Sequence, residues 1–268
     1  MGINRSGYYS WKQRKAHPSV RTLKRLDDIN FISQVSDKHK SHGYRWLTAY
    51  LELKYGIRYS PGYVYRCRKY AGILCESKHY KWKNPQEMHY IVKNLIRNKW
   101  DAKRPLEIIV SDMTAFRAAG KYYELTLYID TFNREIVGFG LGTQQNDPKP
   151  YYEGLRQVMK KIKEKEQTCL STLHTDQGAV YSSEAFNKLL NNNNIIHSMS
   201  RAGTPTDNPI DESLNGWIKD ELKLDFGLSH CEKVLSLIRN YIFYYNKERP
   251  MFCLKYKTPL QYKYEMGY

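Results

Sequence analysis

Polar and apolar positions change period along the chain, and the change divides it. From Asp27 to Lys40, apolar Ile29, Ile32 and Val35 fall three apart behind two opening aspartates, so a helix is expected over 27–40. In "YRWLTAYLELKYG" (44–56), Leu47, Tyr50, Leu51 and Tyr55 recur at helical spacing, and Gly56 is placed to end the run. A third helix is predicted in "SPGYVYRCRKYAGIL" (60–74). Ser60 suits its N-cap, Pro61 its first position, and Gly72 its close. Residues 76–104 are polar and basic and read as a linker with one helix inside, "EMHYIVKNLIRNKW" (87–100).

From Leu106 the pattern becomes that of strands. "LEIIVSDMTAF", "KYYELTLYIDTF" and "EIVGFGLGT" are rich in β-branched and aromatic residues, separated by short polar or Gly-containing links, as in a three-stranded meander. "DPKPYYEGLRQVMKKIKEKEQ" is an amphipathic helix that turns Leu155, Val158, Met159 and Ile162 inward. A strand, "TCLSTLHTD", a helix, "SSEAFNKLLNNNN", and a strand, "IIHSMS", follow. After the loop "RAGTPTDNP" comes a last helix, "IDESLNGWIKDELK". The order βββαβαβα predicts an α/β fold: a mixed sheet with helices on both faces, preceded by a small all-α domain. The expected division is 1–80 for the helical region, 81–104 for the linker, and 105–268 for the α/β core with a helical C-terminal extension.

Charge sharpens this division. Residues 1–105 hold 23 Lys and Arg against 7 Asp and Glu, which is +16; residues 106–268 hold 20 of each, which is zero. The whole excess of +16 therefore lies in the first two-fifths, as expected of a polyanion-binding module joined to a part with another task. A plain solubility surface would account for the charge but not for its one-sidedness. Helix, short turn, helix is also the layout of a helix-turn-helix, and the third helix offers Arg66, Arg68 and Lys69 among Tyr63 and Tyr65 for phosphates and bases. A three-helix packing unit with solvated cations has the same outline.

Cysteine usage and hydropathy exclude other classes. Cys67, Cys75, Cys169, Cys231 and Cys253 are odd in number, scattered, and form no C-x-x-C pair, so neither a disulfide framework nor a Cys-rich zinc site is expected. His39 and His42 with Cys67 and Cys75 suggest zinc only loosely, because the Cys spacing is wrong for a ribbon or finger. No run of eighteen apolar residues and no apolar signal segment occurs, so a soluble, cytoplasmic protein without membrane contact is expected.

Three acidic positions stand out near strand ends of the predicted sheet, where ligands gather in α/β folds. Asp112 lies inside the first strand, Asp176 at the end of the fourth, and Glu212 in the first turn of the last helix. Asp176, two residues before Gly178, is also a good turn residue, and Glu212 is also a helix N-terminal acid. Asp112 is harder to explain by local structure, since a carboxylate within "IIVSDMTAF" needs a partner or a metal if buried. Asp130 in "YIDTF" is a rival that we rank as structural. His174 shares the strand face of Asp176 and either steers a phosphate or packs at the site edge.

"VSDMTAF", "LHTDQGAVYSS" and "DNPIDESLNGWIKDEL" resemble the three blocks of the DDE integrase core, the RNase H-like fold of retroviral integrases and many bacterial transposases. The 35 residues between Asp176 and Glu212 match that family's spacing, and Lys219, seven residues past Glu212, matches a basic residue found there. "SGYYSWKQR", "HGYRWLTAYL", "YSPGYVYRCRKYAGI", "YYNKERP" and "KTPLQY" narrow the resemblance to the second-reading-frame product of IS-three family insertion-sequence transposases, over almost the entire chain. Pro209 stands where a small residue is more usual, and Ala115-Phe116 replaces a more polar aromatic pair; neither touches the three acids.

The resemblance implies DNA transposition, hence recombination and integration, by metal-dependent strand cleavage and 3′-OH strand transfer. Asp112, Asp176 and Glu212 would be both catalytic residues and metal ligands. Two Mg²⁺ ions are implied, about 3.5–4 Å apart, with Mn²⁺ able to substitute. Lys219 and Asn215, on the helix face of Glu212, would meet DNA, with Leu214, Trp217, Ile218 and Leu222 turned toward the sheet. The implied partners are transposon-end and target DNA, further copies of the chain on that DNA, and a first-reading-frame protein, since no coiled-coil heptads occur here. A DNA-binding regulator with an inactive core is the alternative, and a general RNase H-like nuclease a third reading. No Arg-His-Arg-Tyr set supports a tyrosine recombinase, despite 24 Tyr.

Overall fold

The computed structural model describes residues 4–73, 92–96, 100–164, 170–201 and 209–268, with only the backbone helix for 209–215. It forms two compact units, Met1–Glu76 and Ser77–Tyr268.

The first unit holds α1 (Arg5–Ala16), α2 (Val20–Lys38), α3 (Tyr44–Tyr55) and α4 (Pro61–Tyr70). Its core is Ile29, Ile32 and Val35 of α2, Leu47, Tyr50 and Leu51 of α3, and Val64 and Cys67 of α4. Ser60 caps α4 by accepting from the Tyr63 N–H, and Gly56 ends α3 in the left-handed region that a side chain would disfavour. Helix α2 begins seven residues before the expected Asp27, at a Ser19 cap. The early turns carry exposed Val20, Leu23 and Leu26, so they leave no apolar stripe to read. Helix α1 buries none of its residues, which is why periodicity did not reveal it.

The second unit is built on a five-stranded sheet of order β3-β2-β1-β4-β5. Strands β1 (Ile108–Ala118), β2 (Lys121–Asp130) and β3 (Ile136–Gly142) form the antiparallel meander. Strands β4 (Ser171–Thr175) and β5 (Ile195–Met199) join β1 in parallel. Helices α5 (Lys149–Glu164) and α6 (Glu184–Asn192) make the crossovers, and α7 (Pro209–Leu224) follows β5. The expected βββαβαβα order holds, and α8 (Val234–Lys247) and α9 (Pro259–Glu265) complete the C-terminal extension.

One face of the sheet packs Ile109, Tyr128, Val137, Leu173, Ile195 and Met199 against Leu155 and Val158 of α5 and Phe186 and Leu190 of α6. The alternate positions Val110, Leu125, Leu127 and Ile129 are buried as well, so the other face is also covered; α7 contacts β1 and α8 contacts β3 there. Glycine explains how closely α5 approaches: a Cβ on Gly140 would lie 1.9 Å from the Pro150 carbonyl oxygen, and one on Gly154 2.4 Å from the Tyr128 ring. The helix expected over 87–100 falls partly outside the described residues. Where it is described, at 92–96, the chain is not helical. Leu95 N–H donates instead to Ser198 Oγ and Ile96 N–H to Asn94 Oδ1; Ile96 is buried, and Val92 packs against the sheet core.

Candidate active site

Parallel pairing of β1 with β4 brings two of the three acids together. The last registered pair is Ser111 with Thr175. The next residues along each chain are Asp112, still within β1, and Asp176, the first residue past β4, so both follow that pair at the same end of the β1–β4 ladder. Asp112 is half-buried, and its Oδ1 accepts from the Met113 N–H at 2.8 Å.

Asp176 starts the turn that leaves β4. Its Oδ1 accepts the Gly178 N–H at 2.9 Å, and a Cβ on Gly178 would lie 2.9 Å from that same oxygen. Turn residue and candidate ligand are thus one side chain. The strand end beneath is fixed by a buried relay. Asn187 donates to the Tyr181 and Ser183 carbonyls, which leaves its Oδ1 facing His197 Nδ1 at 2.7 Å. Nδ1 therefore carries the ring proton. Burial, with His174 adding its charge, pushes the His197 pKa down to about 4, so the ring is neutral and Nε2 accepts. The Thr175 hydroxyl lies 3.0 Å from Nε2 and 2.8 Å from the Asp176 carbonyl. The hydroxyl has one proton, which it gives to the Asp176 carbonyl at the shorter distance or to the ring nitrogen, not to both at once.

Electrostatics mark the same spot. The Asp176 carboxyl is raised above the usual range by the surrounding protein, opposed by the Gly178 N–H, although the residue itself is exposed to solvent. Burial raises the Tyr151 phenol, and the charges of Glu124, Asp176 and Asp112 add to it. Tyr181 is raised by burial too, with Tyr128, Asp176 and Asp112 contributing. Lys219, half-buried on α7, has its pKa lowered by burial while the charge of Asp112 pulls it back up. So α7 brings a cation to the neighbourhood of Asp112. Glu212 lies seven residues earlier on α7, on the same helix face as Lys219. The side chains of Glu212 and Asn215 lie outside the described residues. Among the described residues, no three His, Cys, Asp or Glu side chains cluster as a metal site would.

Sequence comparison bears on the same elements. Two integrase core domain models match, over residues 102–205 and 193–259. A transposase-like protein of Haemophilus influenzae is 31% identical over 79% of this chain and 96% of its own length. The transposase for insertion sequence element IS904 of Lactococcus lactis is 30% identical over 92% of this chain and 97% of its own. The chain belongs to the insertion-sequence transposases of the DDE integrase superfamily. Its enzyme class is that of the DDE-type polynucleotidyl transferases, and its fold is RNase H-like. A chain of the simian T-cell lymphotropic virus intasome, solved with PP2A regulatory subunit B56 gamma, matches 81% of this chain and 74% of its own. The TM-score is 0.51 at 20% identity, a likeness of fold.

Several transposase residues stand elsewhere than expected. Trp217 does not face the sheet: it is 50% exposed, while Ile218 and Leu222 carry the burial. Arg68 is 5% exposed and donates to the His42 carbonyl at 2.9 Å, so it braces the first unit and is not placed to meet phosphate. Arg66 and Lys69 remain exposed beside Tyr65. Asp130 is structural, with Oδ2 accepting from the Leu106 N–H and Oδ1 from the Phe132 N–H. His174 packs: it is buried, Nδ1 lies 3.0 Å from Ser198 Oγ, and Trp100 meets its ring edge-on. His42 stacks on Trp46 at 3.6 Å, so its ring is spent on packing. Sequence reasoning missed Glu221, a buried acid paired with Arg249. Its signal was an acid at i+3 from Ile218 and next to Leu222, on the inward face.

Proposed function

We propose that this transposase cuts and joins DNA at a two-ion Mg²⁺ centre held by Asp112, Asp176 and Glu212. The observation that carries the reading is the parallel register of β1 with β4, in which Asp112 and Asp176 each follow the Ser111–Thr175 pair, with α7, the helix that bears Glu212, in contact with β1. The donor set fits the ion. Hard oxygen ligands from a few carboxylates, completed by phosphate, are what Mg²⁺ accepts, and Mn²⁺ would be accepted in its place. The crowding that raises Asp176 is relieved by a bound cation. When bound, such a pair of ions activates an attacking oxygen and stabilises the leaving one. Asp112, central on β1, would touch both ions, with Asp176 and Glu212 completing one each.

Around that centre the chain's own residues bind and orient DNA. Lys219, held near Asp112, meets a phosphate beside the scissile one, and Asn215 shares its helix face. Arg66 and Lys69 of α4 grip phosphates from the first unit. We assign DNA recognition to 1–80 in helix-turn-helix fashion, a basic connection to 81–104, and chemistry to 105–268. The partners are transposon-end and target DNA, other copies of the chain on that DNA, and a first-frame protein. Among the described residues no helix is long and apolar enough to cross a membrane, and the reading places the enzyme with the nucleoid in the cytoplasm. An inactive regulator would not need the two aspartates in register.

The test is strand transfer with a labelled duplex bearing the ends of its own element, with and without Mg²⁺. Metal-dependent joining supports the reading. DNA binding without any joining in either Mg²⁺ or Mn²⁺ would favour the regulator.

A further inference from the structure

The block "YYNKERP" (244–250) has no role in the chemistry above, yet its side chains reach two elements that matter. Arg249 reaches α7. Its Nε lies 2.6 Å and its Nη2 2.5 Å from Glu221 Oε1, and both residues are buried. Tyr241 of α8 donates to the other oxygen, Oε2, at 2.9 Å. The Arg249 guanidinium also sits 5.4 Å from the centre of the Tyr245 ring. Asn246 reaches the sheet. Its Oδ1 accepts the Ile136 N–H at 2.9 Å and its Nδ2 donates to the Ile136 carbonyl at 3.0 Å, standing in for a strand at the outer edge of β3.

We infer that Glu221, Arg249 and Tyr241 form a brace that sets the direction of α7 and so positions Glu212; this rests on the reading of Glu212 as the third carboxylate. The C-terminal half of α7 is tied down from several sides. Ile218 and Leu222 are buried, and the Ser229 carbonyl just beyond the helix accepts the Ala119 N–H at the β1–β2 turn. Glu212 lies nine residues before Glu221, about 13 Å along the helix at 1.5 Å per residue. A swing of roughly 10° at the brace would therefore carry Glu212 about 2 Å, whereas metal–ligand distances tolerate about 0.2 Å. An apolar pair of similar volume would hold the helix in place equally well, because burying two charges is costly even when they meet. What the ion pair and hydroxyl add is direction: donors fixed on both carboxylate oxygens allow one orientation of α7. Glu221, Arg249 and Tyr241 are thus positioning residues, which act through Glu212 and touch no substrate.

Five full-length chains test the brace: wild type, Arg249→Lys, Tyr241→Phe, Glu212→Gln and the Glu212→Gln/Arg249→Lys double variant. Mn²⁺ binding is read by calorimetry without DNA, and amide exchange along α7 in parallel. Arg249→Lys should weaken Mn²⁺ binding roughly tenfold, as loss of supporting contacts behind ligands does, and speed exchange in the N-terminal turns of α7. Tyr241→Phe should do the same more weakly, with melting nearly unchanged. In the Glu212→Gln background, Arg249→Lys should weaken Mn²⁺ no further. An equal loss in both backgrounds would show that Arg249 acts otherwise than through Glu212, and overturns the inference. If Arg249→Lys does not fold, Tyr241→Phe decides, and wild-type Mn²⁺ affinity with wild-type exchange in α7 overturns it. If Glu212→Gln itself binds Mn²⁺ and joins strands as the wild type does, it is the reading of Glu212 that fails.

Discussion

Asp130→Asn should make stability fall more steeply with acid than that of the wild type. Burial pushes the Asp130 carboxyl up to about 6, against the pull of the Phe132 and Leu106 N–H groups, from an ordinary 3.8. The folded state therefore holds this proton more tightly than the unfolded state. Its contribution is fully present below about pH 4 and is lost as pH rises through 6. His197 runs the other way. Its pKa falls from 6.5 to about 4, so the unfolded chain takes up a proton first, and stability is lost as pH falls across that window. At about 1.4 kcal/mol per unit, going from pH 7 to pH 4 gains roughly 2 kcal/mol from Asp130 and loses about 3 from His197. The two nearly cancel. Asn at 130 keeps one acceptor for the two N–H groups, which costs a pH-independent offset of about 1 kcal/mol, and removes the compensating slope. Urea unfolding of both full-length chains at pH 7, 6, 5 and 4 reads the difference, because the groups of the first unit are common to both. The gap should widen by about 2 kcal/mol toward pH 4, and His197→Gln should show the opposite trend. A gap constant with pH would refute the argument that the native core holds the Asp130 proton more tightly than the unfolded chain does.

Gly140→Ala should lower stability by about 3 kcal/mol or more, seen as an early melt, because its Cβ meets the Pro150 backbone and α5 cannot yield without leaving the sheet. Gly216→Ala, with nothing within 4 Å of the added Cβ, should instead stabilise α7 by up to about 1 kcal/mol. Lys219→Ala should weaken binding of end DNA and reduce the salt slope by about one unit while Mn²⁺ affinity persists; unchanged end binding would take that helix face away from DNA. Arg66→Ala and Lys69→Ala should each lower the salt slope of DNA binding by about one unit. Arg68→Ala should lower the melting temperature instead, since that side chain holds the His42 carbonyl in the interior.

Alternation and turn chemistry carried the core into view. The meander, the crossovers and their order follow from strands of β-branched residues broken by glycine, and the burial of Leu155 and Val158 from helical spacing. Asp112 and Asp176 could be named because one acid interrupts an apolar strand and the other ends one; their adjacency needed the parallel register of β1 with β4. Four things escaped for physical reasons. Helix α1 has no buried face, so no period marks it. Val92–Ile96 shows a helical apolar pattern but is claimed by contacts such as that of Leu95 with Ser198, a tertiary preference that local sequence does not encode. Arg68 and Glu221 look like solvated charges until their partners, 26 and 28 residues away, are brought beside them. Trp217 was turned inward by its hydrophobicity alone, yet the stripe of α7 is already filled by Ile218 and Leu222.

On the proposed function, Asp176 serves as a metal-holding carboxylate as well as a turn residue. Asp176→Asn isolates the two roles, since an amide oxygen still accepts the Gly178 N–H and the turn survives. The measurement is strand transfer of labelled end DNA in Mg²⁺ by wild type and variant, at matched DNA occupancy. The variant should bind end DNA as the wild type does and join strands at least about 10³-fold more slowly, as loss of several kcal/mol of transition-state stabilisation requires. Joining at the wild-type rate by Asp176→Asn would show that this carboxylate holds no metal needed for strand transfer.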